Sequence, residues 1–313
     1  MEILDNNINV DVIGFGALNL DKLHSVESIA GKDEESFINS EKDTPGGSAA
    51  NTIIGLSKLN KKTSFIGKIA EDESGEIIEL NLSFNEVYTN NLIYSEDGKT
   101  GEVLGFVDKN GDRALYVDPG VNDEITIGEI NPLNVNSCKI IHYTSFVGDQ
   151  SLKAQIQLLD KLDDEVILSF DPGMLYVKRD FDEISPILER TNILFLNEHE
   201  FKILDGESST NSIEESVSNF FKNHDIDTVV VKRGSKGVFA IDENESCHAE
   251  VFSCEVVDTT GAGDSFNSGF LYGILNDHDL KTCCKIGNFV ASKAIEGYGM
   301  EKFPNEKDLK EIL

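Results

Sequence analysis

The stretch of this sequence best equipped for chemistry is Asp258-Thr259-Thr260-Gly261-Ala262-Gly263-Asp264-Ser265-Phe266, a glycine-bearing turn that runs into an apolar helix with an aspartate on its first turn. Gly261 and Gly263 leave no side chain where the backbone must bend. Amides of the turn and of Ala262 can therefore converge on one anion, and the helix dipole adds to the field they make. Phosphate is the natural guest. A carboxylate beside it is badly placed for binding phosphate and well placed to take a proton from a hydroxyl attacking it. Gly261, Ala262 and Gly263 thus read as an anion hole and Asp264 as a general base. With an ordinary carboxyl pKa of about 3.9 and the dipole in its favour, Asp264 is expected to be ionised at neutral pH. So weak a base serves because the transition state is loose and the proton leaves late. Taken alone, a G-x-G-D run also describes an acidic cap before a core helix.

A second glycine pair opens a helix near the start of the chain, Pro45-Gly46-Gly47-Ser48-Ala49-Ala50-Asn51-Thr52, which continues through Ile53, Ile54, Leu56 and Leu59 at helical spacing. Its payload is polar rather than charged. Asn51 offers donors and an acceptor suited to a polyhydroxylated ligand. Asn197 and Glu200 follow an apolar strand at i, i+3 spacing and share a face if a helix starts there. By themselves they also fit a capping pair.

In this order the segments resemble the two signatures of the ribokinase (PfkB) family of carbohydrate and nucleoside kinases, and the resemblance covers nearly the whole chain. Gly14-Phe15-Gly16-Ala17-Leu18-Asn19-Leu20-Asp21 is similar to the family's first strand, which delivers an aspartate to the sugar. Gly67 with Asp72 and Gly75, Asp171-Pro172-Gly173, Asn197-Glu198-His199-Glu200, and Val230 to Gly237 resemble further landmarks. The resemblance implies that Asp21, Gly46, Gly47 and Asn51 hold acceptor hydroxyls. Lys232, Gly234, Gly237, Thr260 and Asn288 are implied on the nucleotide side, with Asn197 and Glu200 ordering Mg²⁺ through its waters. It also implies a potassium ion behind the anion hole at Asp258, Thr260 and the loop Glu296-Gly297-Tyr298-Gly299, although this chain departs from the commoner ending there. The implied activity is transfer of the γ-phosphate of ATP to a sugar hydroxyl. A nucleoside kinase is the main alternative; a sugar-phosphate kinase and a non-catalytic sugar sensor stand behind it. A dinucleotide oxidoreductase is disfavoured because Asn19 stands where the third glycine of G-x-G-x-x-G belongs.

Composition sets outer limits. The net charge of -30 argues against nucleic-acid and anionic-membrane partners, which require stripes of Lys and Arg. The five cysteines lack C-x-x-C spacing, which argues against zinc and a disulfide framework. Met1 to Asn7 has no basic start or apolar core of a signal peptide, and no apolar run approaches the roughly 20 residues of a bilayer span, so a cytoplasmic protein is expected.

The elements that must position these groups alternate. Strands are expected at Val10 to Phe15, Ser64 to Ile66, Lys139 to Tyr143, Val166 to Phe170, Ile193 to Leu196 and Thr228 to Val231. Helices are expected at Ser48 to Leu59, Gln150 to Leu162, Ile213 to Lys222, Ala262 to Leu275 and Leu280 to Glu296. That pattern describes an α/β fold with a mainly parallel central sheet flanked by helices on both faces, read as a single domain over 1–313. Gly101 to Val107 and Arg113 to Val117 break the alternation as a β-hairpin marked by Asn110-Gly111. The acids around it do not make a calcium loop, since Arg113 and Pro119 occupy the positions of the required glycine and glutamate. The resemblance implies a small β lid inserted at roughly 16–42 and 98–120, covering the sugar and forming a homodimer contact.

Overall fold

The computed structural model describes residues 9–110, 112–206 and 212–313; the N-terminal reading at Met1 to Asn7 and Gly111 of the hairpin signal lie outside them. The strands are β1 (Val12–Phe15), β2 (Asn19–Val26), β3 (Ile38–Gly46), β4 (Thr63–Ala70), β5 (Val87–Tyr88), β6 (Leu92–Ser95), β7 (Gly101–Val107), β8 (Arg113–Asp118), β9 (Ile140–Thr144), β10 (Ile167–Asp171), β11 (Ile193–Asn197), β12 (Thr228–Lys232), β13 (Val238–Asp242) and β14 (Ser246–Ala249). The helices are α1 (Ser48–Lys58), α2 (Glu73–Phe84), α3 (Pro132–Val135), α4 (Asp149–Leu159), α5 (Gly173–Val177), α6 (Phe181–Arg190), α7 (Glu198–Leu204), α8 (Ile213–Asn223), α9 (Ala262–Leu275), α10 (Leu280–Ala294) and α11 (Glu306–Leu309).

Ten strands form the main sheet in the order β14-β13-β12-β11-β10-β9-β1-β4-β5, with β6 beside β4. All neighbours are parallel from β12 to β5, and β13 and β14 close one edge antiparallel. The strands read as unbroken apolar runs because both faces are covered, and the two-residue alternation of a strand sends successive side chains into different cores. Val12, Phe65, Ile140, Ile193 and Val230 face α1, α9 and α10. Their chain neighbours Ile13, Ile66, Ile141, Leu194 and Val229 face α4, α6 and α8.

The lid is a separate four-stranded sheet, β3-β2-β7-β8. Its strands fall in the regions 19–46 and 101–118, and β3 runs on to Gly46, straight into α1. Asp21 lies on β2 of this lid, paired with Thr44 and Val103, and not on the first strand of the main sheet. The strand ends at Phe15, and the chain crosses to the lid before reaching the aspartate. Two side chains fix the lid's root. Asn122 accepts from the Leu18 amide at 2.9 Å and donates to the Leu18 carbonyl at 2.7 Å. Asp72 caps α2 through the Gly75 amide and accepts from both the amide and hydroxyl of Thr100, just before β7.

Candidate active site

Thr144, Asp171, Asn197 and Lys232 all stand at the carboxyl ends of parallel strands, and register pairs Asp171 with Thr144 and Asn197 with Lys232. This edge of an open α/β sheet is where ligands bind. The amino ends of α1 and α9 converge on it. Gly261 caps α9 at φ 72°, a left-handed conformation that costs glycine little. Among the described residues nothing accepts from the amides of Gly261, Gly263 and Asp264, whereas the Ala262 amide turns back to the Thr259 carbonyl at 3.2 Å. The free donors of this turn are therefore those three, with Asp264 contributing its own amide in place of Ala262.

Asn51 and Asp264 meet directly: Asn51 Nδ2 donates to Asp264 Oδ2 at 2.9 Å, and the Thr52 hydroxyl donates to the Asp264 carbonyl at 3.3 Å. The two glycine-rich segments thus build one wall. Burial pushes the Asp264 carboxyl up to about 7; the charges of Asp171 and Glu200 push the same way, while Asn51 and Lys232 oppose them. The expected ordinary pKa near that of a free carboxyl is corrected by this desolvation, which sequence spacing does not reveal.

The wall borders a cavity of about 1000 Å³ roofed by the lid. Asp21 projects into it from β2 with no protein donor to its carboxylate among the described residues, and burial raises it to about 6. Gly46 makes room for it, since a Cβ there would stand 2.5 Å from Asp21 Oδ2; one on Gly47 would collide with the Ala17 carbonyl.

The residues expected on the nucleotide side divide. Lys232 lies beneath the turn, 3.3 Å from where a Gly263 Cβ would be, and is tied to Asp171 Oδ2 at 2.8 Å and Asn267 Oδ1 at 3.1 Å. Asn267 Nδ2 also donates to Asp171 at 2.7 Å. Burial pushes Asp171 up, but the Lys232 charge and these hydrogen bonds outweigh it and hold the carboxyl below the usual range. Gly234 and Gly237 shape the β12–β13 turn, and Asn288 gives its amide hydrogens to the carbonyls of Ala249 and Glu250 at 3.0 Å. Asn197 and Glu200 form a reciprocal capping box on α7, with Glu200 Oε2 accepting from the Asn197 amide at 2.7 Å. Burial and the Asp171 charge hold Glu200 above the usual range. Among the described residues no cluster of three or more His, Cys, Asp or Glu side chains could hold a metal ion. At the other expected ion position, Asp258 Oδ1 accepts from the amide and hydroxyl of Thr260, at 2.9 and 2.7 Å.

Sequence reasoning left Arg113, Asn122 and Asp123 out of the site, yet all three line the cavity. The scarcity of arginine was the available signal for Arg113.

A parallel sheet whose carboxyl edge carries a helix start with amides free among the described residues and a roofed cavity is built to bind a ligand there. The chain belongs to the pfkB family of carbohydrate kinases, whose pattern it matches over residues 11–308. It is 39% identical over 259 residues to an uncharacterized sugar kinase of Archaeoglobus fulgidus, covering 82% of this chain and all of that one. Among solved structures it resembles the ribokinase of Thermotoga maritima, with a TM-score of 0.85 at 21% identity over 96% of this chain and 98% of that one. It also resembles the nucleoside kinase of Methanocaldococcus jannaschii, with a TM-score of 0.83 at 27% identity over 97% and 98%. No helix among the described residues is long and apolar enough to cross a membrane.

Proposed function

We propose that this protein transfers the γ-phosphate of ATP to a hydroxyl of a sugar, with Asp264 as general base. The observation that carries the reading is the Asn51–Asp264 contact beside three amides that lack acceptors. Asp264 takes the acceptor's proton as its oxygen engages the phosphoryl group, and the amides of Gly261, Gly263 and Asp264 stabilise the charge that spreads over the transferring group. Lys232, one layer down, adds positive potential to that turn while balancing Asp171. Asp21 and Asn51 orient the acceptor's hydroxyls, and the lid excludes water that would otherwise compete for the phosphoryl group. Asn197 and Glu200 would face the waters of a nucleotide-borne Mg²⁺, which neutralises phosphate charge when bound.

A nucleoside acceptor is the second reading, favoured by the apolar underside of the lid, where Leu23, Val103, Leu115 and Val117 line the cavity and could pack against a base. A panel of sugars, sugar phosphates and nucleosides, scored by acceptor-dependent ADP release, separates the readings. Replacing ATP by ADP in the same panel tests the donor. No turnover with any member would reject the kinase proposal.

Two subsidiary proposals follow from the resemblance. The amides of Val257 and Asp258 both donate to the Ile295 carbonyl, at 2.8 and 3.3 Å, bringing the turn against the loop after α10 as a potassium site at Asp258 and Thr260 requires. Equal turnover in potassium and in a bulky organic cation at matched ionic strength would remove that ion. A homodimer through the lid accounts for the exposure of Leu104 and Tyr116 on its outer face; a monomeric mass by light scattering at micromolar concentration would reject it.

A further inference from the structure

The chain holds four arginines, and three are fully committed to structure. Arg179 binds Asp149, Glu183 and the Val147 carbonyl. Arg190 binds Asn192 and two carbonyls. Arg233 binds Glu198 and Glu214. Arg113 differs in what its contacts join. It begins β8 on the lid, yet its guanidinium crosses the mouth of the cavity to the turn before α9, donating to the Thr260 hydroxyl at 3.0 Å and lying 3.5 Å from Asp258 Oδ1.

A second cation spans the same mouth. Lys42, on β3 of the lid, places its Nζ 5.6 Å from the centre of the Tyr298 ring, in the loop after α10. That loop lies against the Asp258 turn through the Ile295 carbonyl. The lid thus reaches the body of the protein at the mouth through two positive side chains. Both land on segments next to the unpaired amides.

We propose that Arg113, supported by Lys42, is a positioning residue that latches the lid onto the anion-hole turn. The latch sets how often the cavity is closed. Its effect on turnover rests on the kinase reading, while its mechanical part does not. Exposed charge-assisted pairs contribute little each, and the apparent affinity of a site falls in proportion to its closed fraction. Loss of Arg113 should therefore act on acceptor capture and on water exclusion more than on the chemical step.

The test compares Arg113→Met, Arg113→Lys and Lys42→Met with the wild-type chain by two readouts. The first, amide hydrogen exchange of the lid peptides covering β7 and β8 in the absence of substrates, needs no activity. Exchange should rise by about 1.5- to fivefold in Arg113→Met and less in the lysine variant, the range expected for loss of a weak exposed pair, with the melting temperature unchanged. The second is kinetic. Acceptor KM should rise less than about twofold, because a lid closed most of the time loses only the fraction that opens, with kcat nearly constant; acceptor-independent ATP hydrolysis should grow relative to transfer, and Arg113→Lys should restore part of both. Unchanged lid exchange in Arg113→Met, or a uniform fall in kcat with no change in KM or in the hydrolysis ratio, overturns the latch. Faster lid exchange in a protein that transfers phosphate to no acceptor keeps the latch and rejects the kinase reading instead.

Discussion

Replacing Asn51 by leucine should move the pH profile of the enzyme, and by an amount that the geometry sets. Asn51 Nδ2 is the side-chain donor to Asp264, at 2.9 Å, and its hydrogen bond favours the ionised carboxylate against the burial that holds the pKa near 7. A hydrogen bond to a charged group contributes about 1.5–3 kcal/mol, which corresponds to about one to two pKa units at 1.36 kcal/mol per unit. Asp264 borders an open cavity, so the lower end applies. The acidic limb of kcat/KM, which reports the free enzyme's base, should then shift from about 7 to about 8 in Asn51→Leu. The sign follows from the carboxylate being the active form. Removing the donor destabilises it, so a higher pH is needed to reach the same ionised fraction. At pH 7 that fraction falls from about one half to about one tenth, a loss of about fivefold beyond any change in acceptor affinity. The measurement is kcat/KM from pH 5 to pH 9.5 for both proteins, comparing the position of the limb rather than its height. A limb that stays in place, or moves to lower pH, would refute the assignment of Asp264 as the group whose ionisation governs turnover.

Asp264→Asn should lower turnover about 10²- to 10⁴-fold while leaving nucleotide binding largely intact; a variant retaining most of its rate rejects the base. The same substitution should reveal a stability cost of the site. Because the folded-state pKa of Asp264 lies near 7, above the unfolded value of about 3.9, the fold holds the proton more tightly than the unfolded chain does. The associated stabilisation is complete below about pH 4 and is lost as the pH rises to 7. The melting temperature of Asp264→Asn relative to wild type should therefore climb between pH 4 and pH 8, and a flat difference would contradict the buried-carboxylate account. Lys232→Met strands the buried Asp171 charge and should cost about 3–5 kcal/mol of stability in denaturant titrations. Adding Asp171→Asn should recover most of that loss, and failure to do so would show that the pair is not the source.

What could be read from the sequence was local. The helix expected at Ala262 to Leu275 is α9 to the residue, because its start is written by Gly261 and its apolar face by Phe266, Phe270 and Leu271. The six expected sheet strands lie at or within β1, β4, β9, β10, β11 and β12, give or take one or two residues at their ends. Continuous apolar runs between helical periods have few other ways to be buried. β2 and β3 were legible only through the family likeness. β3 is mostly exposed, β2 is half-buried and mixed in polarity, neither carries strong alternation, and what makes them strands is pairing with each other and, for β2, with β7.

The site divides on the same physical line. Asn51 and Asp264 each announce themselves as a polar group on the first turn of a helix, but their contact spans 213 residues of chain, and so does the desolvation that lifts Asp264. The family likeness implies Lys232 on the nucleotide side, and only the arrival of Asp171 and Asn267 from other elements commits its charge beneath the turn. That placement would also give the proposed polyphosphate donor a locally positive site on so negative a chain. The surface carries the excess of acid, and screening over about 8 Å at physiological salt separates most of it from the cavity. At the proposed phosphate position the local field is set by three amides with no acceptor among the described residues, a helix start and the partly buried Lys232, so a charge-neutral change there should alter donor binding more than the loss of many surface carboxylates.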